Sequence, residues 1–252
     1  MNILHNAKII IDDLKNIYNN NYKILITIIS GFILVFFIRT ILAILDTLFA
    51  IDEYPTQRIL FMLSSTCLTI GLEIGFTKLI FNALDNQKIS INHIFNYFDL
   101  LGKYIQGLFC FYFMIFIATT PLIAYLYFQY SSEIFSILYN SISDPYFQEL
   151  VSSYINFQNL LISVLLLIVP ILYLSLRSFL WSYLVVDKEM GGYLAIKKSF
   201  QLTQNKSSEI ICYLFLIALF NLIGLLSIIG ICFTAPITYI FLCKYYKLFL
   251  KN

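Results

Sequence analysis

Four ionisable side chains stand inside long apolar stretches of this sequence, where a charge needs a partner. They are Arg39, Asp46, Glu73 and Arg177. At the centre of a bilayer such a side chain costs about 2.5–3.5 kcal/mol on insertion scales, so it marks a buried pair, an ion pathway or a binding site. The chemistry open to these residues is therefore charge pairing, ion binding or proton transfer.

Their positions predict two ion pairs. Glu73 and Arg177 each lie about ten residues before the end of an apolar stretch, which places both ~14 Å from the same membrane boundary. We predict that they pair near mid-membrane, either to fix the register of two helices or to serve transport. Arg39 and Asp46 predict a second, outer pair that reaches water.

Small and amide residues within the apolar stretches predict helix packing. Gly71 and Gly75 form a GxxxG pattern, which lets helices approach closely. A packing contact is the simpler interpretation, and a dimer site is the alternative. Asn221 predicts a hydrogen bond between two helices.

Reactive motifs are missing from the sequence. His5 and His93 are far apart, and no HExxH, P-loop, G-x-S-x-G or Rossmann glycine pattern occurs. The five cysteines lie in apolar runs without CxxC spacing and are predicted to be small buried hydrophobic residues. We therefore predict no catalytic residue, no cofactor and no metal site.

The elements that position these residues are membrane-spanning helices. The chain is 60% hydrophobic and 12% charged, whereas soluble domains are near 45–50% and 25%. About 20 apolar residues span a bilayer as a helix, and six stretches qualify: 24–48, 59–81, 104–128, 160–186, 210–226 and 229–246. We predict an all-α, polytopic transmembrane bundle of about six helices, forming one domain over residues 1–252.

Three amphipathic segments, 9–23, 91–103 and 193–206, each precede an outgoing span. Their apolar residues recur at spacings of three and four, which predicts helices, and beside a span such helices lie in the membrane interface. One arrangement is three helix-hairpin units, each an interfacial helix followed by two spans. The alternative is ordinary connectors without a structural repeat.

The lysines predict the orientation. Every lysine falls on one side of the predicted spans or, for Lys78 and Lys244, within the last residues of a span at that side, and segment 130–159 on the other side has no basic residue. Because cytoplasmic loops are enriched in Lys and Arg, both termini are predicted to be cytoplasmic. The basic residues form no stripe, so a nucleic-acid partner is not expected. The expected partner is the lipid bilayer, with other membrane proteins or a second copy of the chain as further candidates.

Several short motifs carry a resemblance to a known family. They are residues 71–78, 88–95 and 98–102 in the first half, and Pro170, Arg177, residues 185–187 and 195–199, Asn205-Lys206, Gly230 and Pro236 in the second. From about Thr69 onward the chain resembles the YciC-like bacterial membrane proteins and the membrane domain attached to some glycerophosphodiester phosphodiesterases. The resemblance implies a six-helix protein of the bacterial inner membrane and brings no substrate or catalytic residue. Segment 130–159 departs from the family by its length.

These observations favour a non-enzymatic inner-membrane protein that serves as a scaffold, an accessory subunit or a lipid-interacting factor. The alternative is a small transporter or permease with the Glu73–Arg177 pair at its midplane. A lipid-modifying enzyme would need His, Asp or Glu clusters at the interface, which the sequence does not offer. A cavity that joins Glu73 and Arg177 to one face would favour transport, and a dry bundle would favour the scaffold.

Cysteine substitutions test the orientation. Ser141→Cys is expected to react with an impermeant maleimide in intact cells, because segment 130–159 is predicted to lie outside. Ser207→Cys is expected to react only after permeabilisation. The unsubstituted chain measures the background from the native cysteines, and the opposite accessibility of the two positions would show that the orientation is inverted.

Overall fold

A computed structural model describes residues 3–49, 55–140, 157–226 and 230–251, and every regular element in these ranges is helical. The long helices are α1 (Ile3–Phe49), α2 (Pro55–Leu84), α3 (Leu101–Asn140), α4 (Phe157–Ser178), α7 (Ser207–Leu225) and α8 (Ile231–Lys251). Two shorter helices, α5 (Trp181–Lys188) and α6 (Gly192–Leu202), lie between α4 and α7. The 3₁₀ segments Ile91–Phe95 and Phe98–Leu100 connect α2 to α3. The all-α prediction is confirmed.

Five stretches in the described ranges are long and apolar enough to cross a membrane: Tyr22–Leu48, Thr56–Leu84, Ile91–Tyr125, Val164–Lys188 and Ser207–Leu225. They overlap the first five predicted spans. The sixth, 229–246, overlaps α8, which carries Lys244, Lys247 and Lys251 and is not among these five stretches. Five such stretches indicate a multi-pass membrane protein.

The packed core occupies one half of the bundle. On α2, Leu72 and Leu79 are fully buried, whereas Leu60 and Leu63 near its other end are 68% and 60% exposed. Side chains that are apolar and exposed suit contact with lipid tails, which are as apolar as leucine. The helices therefore pack tightly at one end and present apolar surface to the bilayer at the other.

Lysines from separate elements meet at the tightly packed end. Lys78 Nζ lies 3.1 Å from Glu189 Oε1, and Lys103 Nζ donates to the backbone carbonyl of Glu189 at 2.9 Å. Lys247 of α8 pairs with Asp85, just after α2. We call this part of the molecule the lysine-rich end, and its composition agrees with the one-sided distribution of lysines in the sequence.

The 3₁₀ segments pack closely against Gly71 and Gly75 of the GxxxG pattern. A Cβ atom at Gly75 would stand 1.8 Å from the carbonyl oxygen of Ile94, and one at Gly71 would stand 2.2 Å from Cε1 of Phe98. The pattern thus serves close packing, but its partner in this structure is the connector between α2 and α3 rather than another spanning helix. A thin 3₁₀ segment with eclipsed side chains fits this narrow space.

The three predicted amphipathic segments adopt three different structures. Residues 9–23 form part of α1, without a break before the span. Residues 91–103 form the two 3₁₀ segments and the start of α3, with Ile94 and Leu100 buried. Residues 193–206 include most of α6, which is a separate helix as predicted. Threefold equivalence therefore does not extend to the connectors, because burial against Gly71 and Gly75 overrides the helical periodicity of the second one.

Helices α7 and α8 pack against each other through a polar contact. Asn221 Nδ2 donates to Thr238 Oγ1 at 2.9 Å, which confirms the predicted hydrogen bond between helices. One turn along, Gly224 leaves room for Thr234, whose Oγ1 would lie 2.2 Å from an added Cβ. Ser227 and Gly230 favour a turn between these two helices, and Asp144-Pro145 favours a helix break, but residues 227–229 and 141–156 lie outside the described residues.

Substitution of Gly75 by alanine is expected to destabilise the protein, because the new methyl group would meet the backbone of Ile94 rather than a movable side chain. Overpacking of this kind costs about 1–3 kcal/mol. Thermal unfolding of the purified protein in detergent measures the change.

Gly102→Ala is the matched control, since a Cβ atom at Gly102 has nothing within 4 Å. Alanine there is expected to be neutral or to stabilise α3 by up to about 1 kcal/mol. Equal losses in the two variants would contradict the packing argument.

Candidate functional site

The charge that faces Glu73 is Arg39 of α1. Arg39 Nη2 lies 4.0 Å from Glu73 Oε2, with side chains 46% and 36% exposed. The phenols of Tyr104 and Tyr239 lie within electrostatic range of the same carboxylate. The pair thus stands at the edge of the packed core. Within the described residues, the ion pair of Glu73 is with Arg39, so the predicted Glu73–Arg177 pair is corrected.

The predicted outer pair of Arg39 and Asp46 is also corrected. Asp46 lies two turns further along α1, a rise of ~10 Å. Because helical side chains lean toward the N-terminus of their helix, Arg39 leans away from Asp46. Among the described residues Asp46 Oδ1 has no hydrogen-bond partner, although it is buried.

A break between two helices determines the position of Arg177. α4 ends at Ser178 and α5 begins at Trp181, whereas the predicted depth of Arg177 assumed one continuous helix as far as Asp187. The guanidinium group instead lies over the ring of Phe200 in α6, with Cζ 5.5 Å from the ring centroid. The break therefore removes the basis for placing Arg177 level with Glu73.

Ser199 of α6 occupies this break. Its Oγ atom accepts a hydrogen bond from the Leu180 N–H at 3.1 Å and donates one to the Arg177 carbonyl at 3.0 Å. Thr203 Oγ1 donates to the same carbonyl at 2.9 Å. A side chain inserted into the backbone ladder is a recognised cause of kinks, and here it also satisfies the groups that the kink frees. The α6 helix thereby fixes the backbone position of Arg177.

Two grooves meet at Arg177 and define the candidate site. The first has a volume of about 490 Å³, and its walls include Cys110, Phe113 and Met114 of α3 and Ile196, Lys197 and Phe200 of α6. The second has a volume of about 420 Å³ and is lined by Tyr173, Arg177, Gln204, Asn205, Ser207 and Ser208. We call them the apolar groove and the polar groove. Arg177 and Gln204 line both, and Glu73 lines neither.

The polar groove offers donors to an anion. The Nε atom of Arg177 is buried and has no hydrogen-bond partner in the described part of the chain, although buried polar groups are normally paired. Guanidinium groups bind carboxylate and phosphate oxygens through two parallel hydrogen bonds. Ser207 and Ser208 begin α7, where free backbone N–H groups and the helix dipole favour negative charge. The site can therefore hold an anion next to an apolar chain.

Sequence reasoning identified Arg177 but missed the residues around it. Ser199 and Thr203 follow Ile196 at helical spacing on the face of α6 that packs inward, and this was the available signal. Ser207 and Ser208 have only their place at the start of a span to distinguish them. What joins them to Arg177 is the turn between α6 and α7, which the sequence pattern does not specify.

The prediction that all five cysteines are buried was wrong. Cys243 is buried, Cys67, Cys110 and Cys232 are half-buried, and Cys212 is exposed. In a spanning helix an apolar position faces lipid as readily as it faces the core, so apolar surroundings in sequence do not establish burial. In the described ranges, no three His, Cys, Asp or Glu side chains are grouped to bind a metal ion.

A double-mutant cycle distinguishes the two possible partners of Glu73. Glu73→Gln and Arg39→Met are expected to be coupled by about 0.5 kcal/mol or more, since they remove the two halves of one pair. Glu73→Gln and Arg177→Met are expected to be additive within about 0.5 kcal/mol. Thermal unfolding in detergent provides the measurement, and coupling to Arg177 alone would restore the pair predicted from sequence.

No family model, curated protein or solved structure matches this chain. The resemblance to the YciC-like proteins therefore stays a prediction, and the chain's function must be inferred from its own geometry.

Proposed function

We propose that this chain is a non-enzymatic, multi-pass protein of the bacterial inner membrane that acts as a lipid-interacting factor, with both termini in the cytoplasm. The observation that carries the proposal is the meeting of the apolar groove and the polar groove at Arg177. An amphiphile joins an apolar chain to a polar head, and one such molecule can lie in both grooves because they share Arg177 and Gln204.

The location of the grooves also supports a lipid ligand. The polar groove lies at the start of the α7 span, beside Lys206, and Lys197 lines the apolar groove. If the lysine-rich end faces the cytoplasm, as the positive-inside rule predicts, this level coincides with the headgroups of the inner leaflet. The groove lining from α3, with Phe113 exposed, is then reached from the bilayer.

The residues around Arg177 favour binding over hydrolysis. Among the described residues of the two linings, the hydroxyl and thiol groups belong to Ser207, Ser208, Tyr173, Tyr193 and Cys110, and no histidine or carboxylate accompanies them. A serine or thiol nucleophile needs a base within hydrogen-bond reach. The grooves therefore supply recognition without an evident base for the reaction.

Modification of Cys110 tests the proposal. In a single-cysteine chain that keeps Cys110, added phospholipid is expected to slow the reaction with an apolar maleimide severalfold, because Cys110 lines the apolar groove. Reaction rates of the purified protein in detergent are compared with and without lipid.

The matched control is the single-cysteine chain that keeps Cys67, which is half-buried like Cys110 but belongs to α2 and lines neither groove. Equal slowing at both positions would mean that lipid acts on the reagent rather than at the site, and would count against the proposal.

A small transporter is the second candidate, and the Arg39–Glu73 pair favours it. Ionisable pairs within spans often mark solute or proton pathways, and both side chains are partly exposed. A deletion strain separates the candidates. An altered lipid composition with normal solute uptake supports the lipid role, whereas lost uptake that Glu73→Gln fails to restore supports transport.

A further inference from the structure

We infer that the ligand of the two grooves is an anionic phospholipid, with its phosphate in the polar groove and an acyl chain in the apolar groove. The inference rests on the proposed lipid-binding function and names the class of lipid. It is carried by the chemistry of Arg177, by the start of α7 and by the charges that line the site.

Contacts within the protein fix the position of Arg177 before a phosphate binds. Its backbone carbonyl accepts hydrogen bonds from Ser199 and Thr203, and its guanidinium group packs over Phe200. These contacts fix both ends of the residue, and its side chain lines the polar groove. A charge-assisted hydrogen bond to a phosphate oxygen is about twice as strong as a neutral one.

The start of α7 supplies further donors to the polar groove. The first residues of a helix have N–H groups without partners inside the helix, and Ser207 and Ser208 add two hydroxyl groups. Lys206, the residue just before them, does not cap the helix with its side chain. Its Nζ atom instead lies over the ring of Phe249, 4.6 Å from the centroid. Backbone and hydroxyl donors therefore face the polar groove with Arg177.

The lining charges favour an anionic over a zwitterionic headgroup. Among the described residues that line the two grooves, the charged ones are Arg177 and Lys197, and both are cationic; Glu209, in the first turn of α7, belongs to neither lining. The ammonium group of a zwitterionic lipid is stabilised by a carboxylate or by a cage of aromatic rings. Among the described residues that line the polar groove, Tyr173 is the one aromatic residue. An anionic glycerol headgroup avoids this conflict and keeps the phosphate contacts.

The apolar groove explains why the phosphate should belong to a lipid. Phe113 and Met114 of α3 and Ile196 and Phe200 of α6 line it, so it offers an apolar surface that free phosphate cannot use. Removal of apolar area from water contributes about 25 cal/mol per Å². Inorganic phosphate is therefore expected to be a poor competitor.

Native mass spectrometry of the full chain in detergent tests the inference. The probes are phosphatidylglycerol and phosphatidylcholine with the same acyl chains, supplied in equal amounts. The protein is expected to retain phosphatidylglycerol about tenfold more than phosphatidylcholine, because both lipids offer the phosphate but only the choline headgroup brings a further cation beside Arg177 and Lys197. Arg177→Gln is expected to weaken the binding of both lipids, because both lose the same phosphate contact, and to lower the preference for phosphatidylglycerol, because one of the two cations beside the headgroup is removed.

Two further variants keep the result interpretable. Lys198→Gln removes the same charge from an exposed position of α6 that lines neither groove, and it should keep the preference. Ser208→Asp places a negative charge in the polar groove at an exposed site, where the α7 dipole stabilises an acidic residue. That variant should fold and yet lose phosphatidylglycerol, even if Arg177→Gln fails to fold.

Each contrary outcome has a distinct meaning. Equal binding of the two lipids, with Cys110 still protected, would overturn the anionic assignment and leave the proposed function standing. Absence of both lipid binding and Cys110 protection would overturn both. Displacement of phosphatidylglycerol by excess inorganic phosphate would show that the site binds free phosphate. If Lys198→Gln lost as much of the preference as Arg177→Gln, the preference would reflect the net charge of the protein rather than a contact with Arg177. Either result would overturn the inference.

Discussion

The insertion of Ser199 into the break between α4 and α5 is the interaction on which the site depends. In a bilayer, backbone groups freed by a broken helix must find partners within the protein, because lipid offers none. The hydroxyl of Ser199 satisfies one donor and one acceptor at the break, and Thr203 adds a second bond to the Arg177 carbonyl. One pair of hydroxyl groups thus satisfies the backbone at the break, holds α6 against it and fixes the backbone of Arg177 beside the two grooves.

Close packing at the lysine-rich end provides the frame for that break. Gly75 admits the backbone of Ile94, and Gly107 of α3 admits the backbone of Gly192, where an added Cβ would lie 2.1 Å from the Gly107 nitrogen. These approaches leave no room for a methyl group, so the connectors are fixed in position. The opposite half of the bundle exposes many leucines and phenylalanines, which suit contact with lipid.

The two functional candidates now depend on different residues. Lipid binding depends on Arg177 and the start of α7, whereas transport depends on Arg39 and Glu73 in the first two helices. Had Glu73 and Arg177 formed one pair, a single substitution would have disturbed both activities. Because the charges are separate, each candidate can be removed without the other.

The sequence by itself determined the helical class, the approximate spans, the gathering of the lysines and the Asn221 contact between α7 and α8. These follow from hydropathy, charge and residue type, which are local properties of the chain. Tertiary structure decided which charges meet. The prediction that Arg177 lies beside Glu73 came from counting residues along straight helices. Such a count cannot give the direction of the Arg39 side chain or the break held by Ser199. The 3₁₀ form of residues 91–100 was likewise decided by the space that Gly71 and Gly75 leave, since burial against a neighbouring helix outweighs local periodicity.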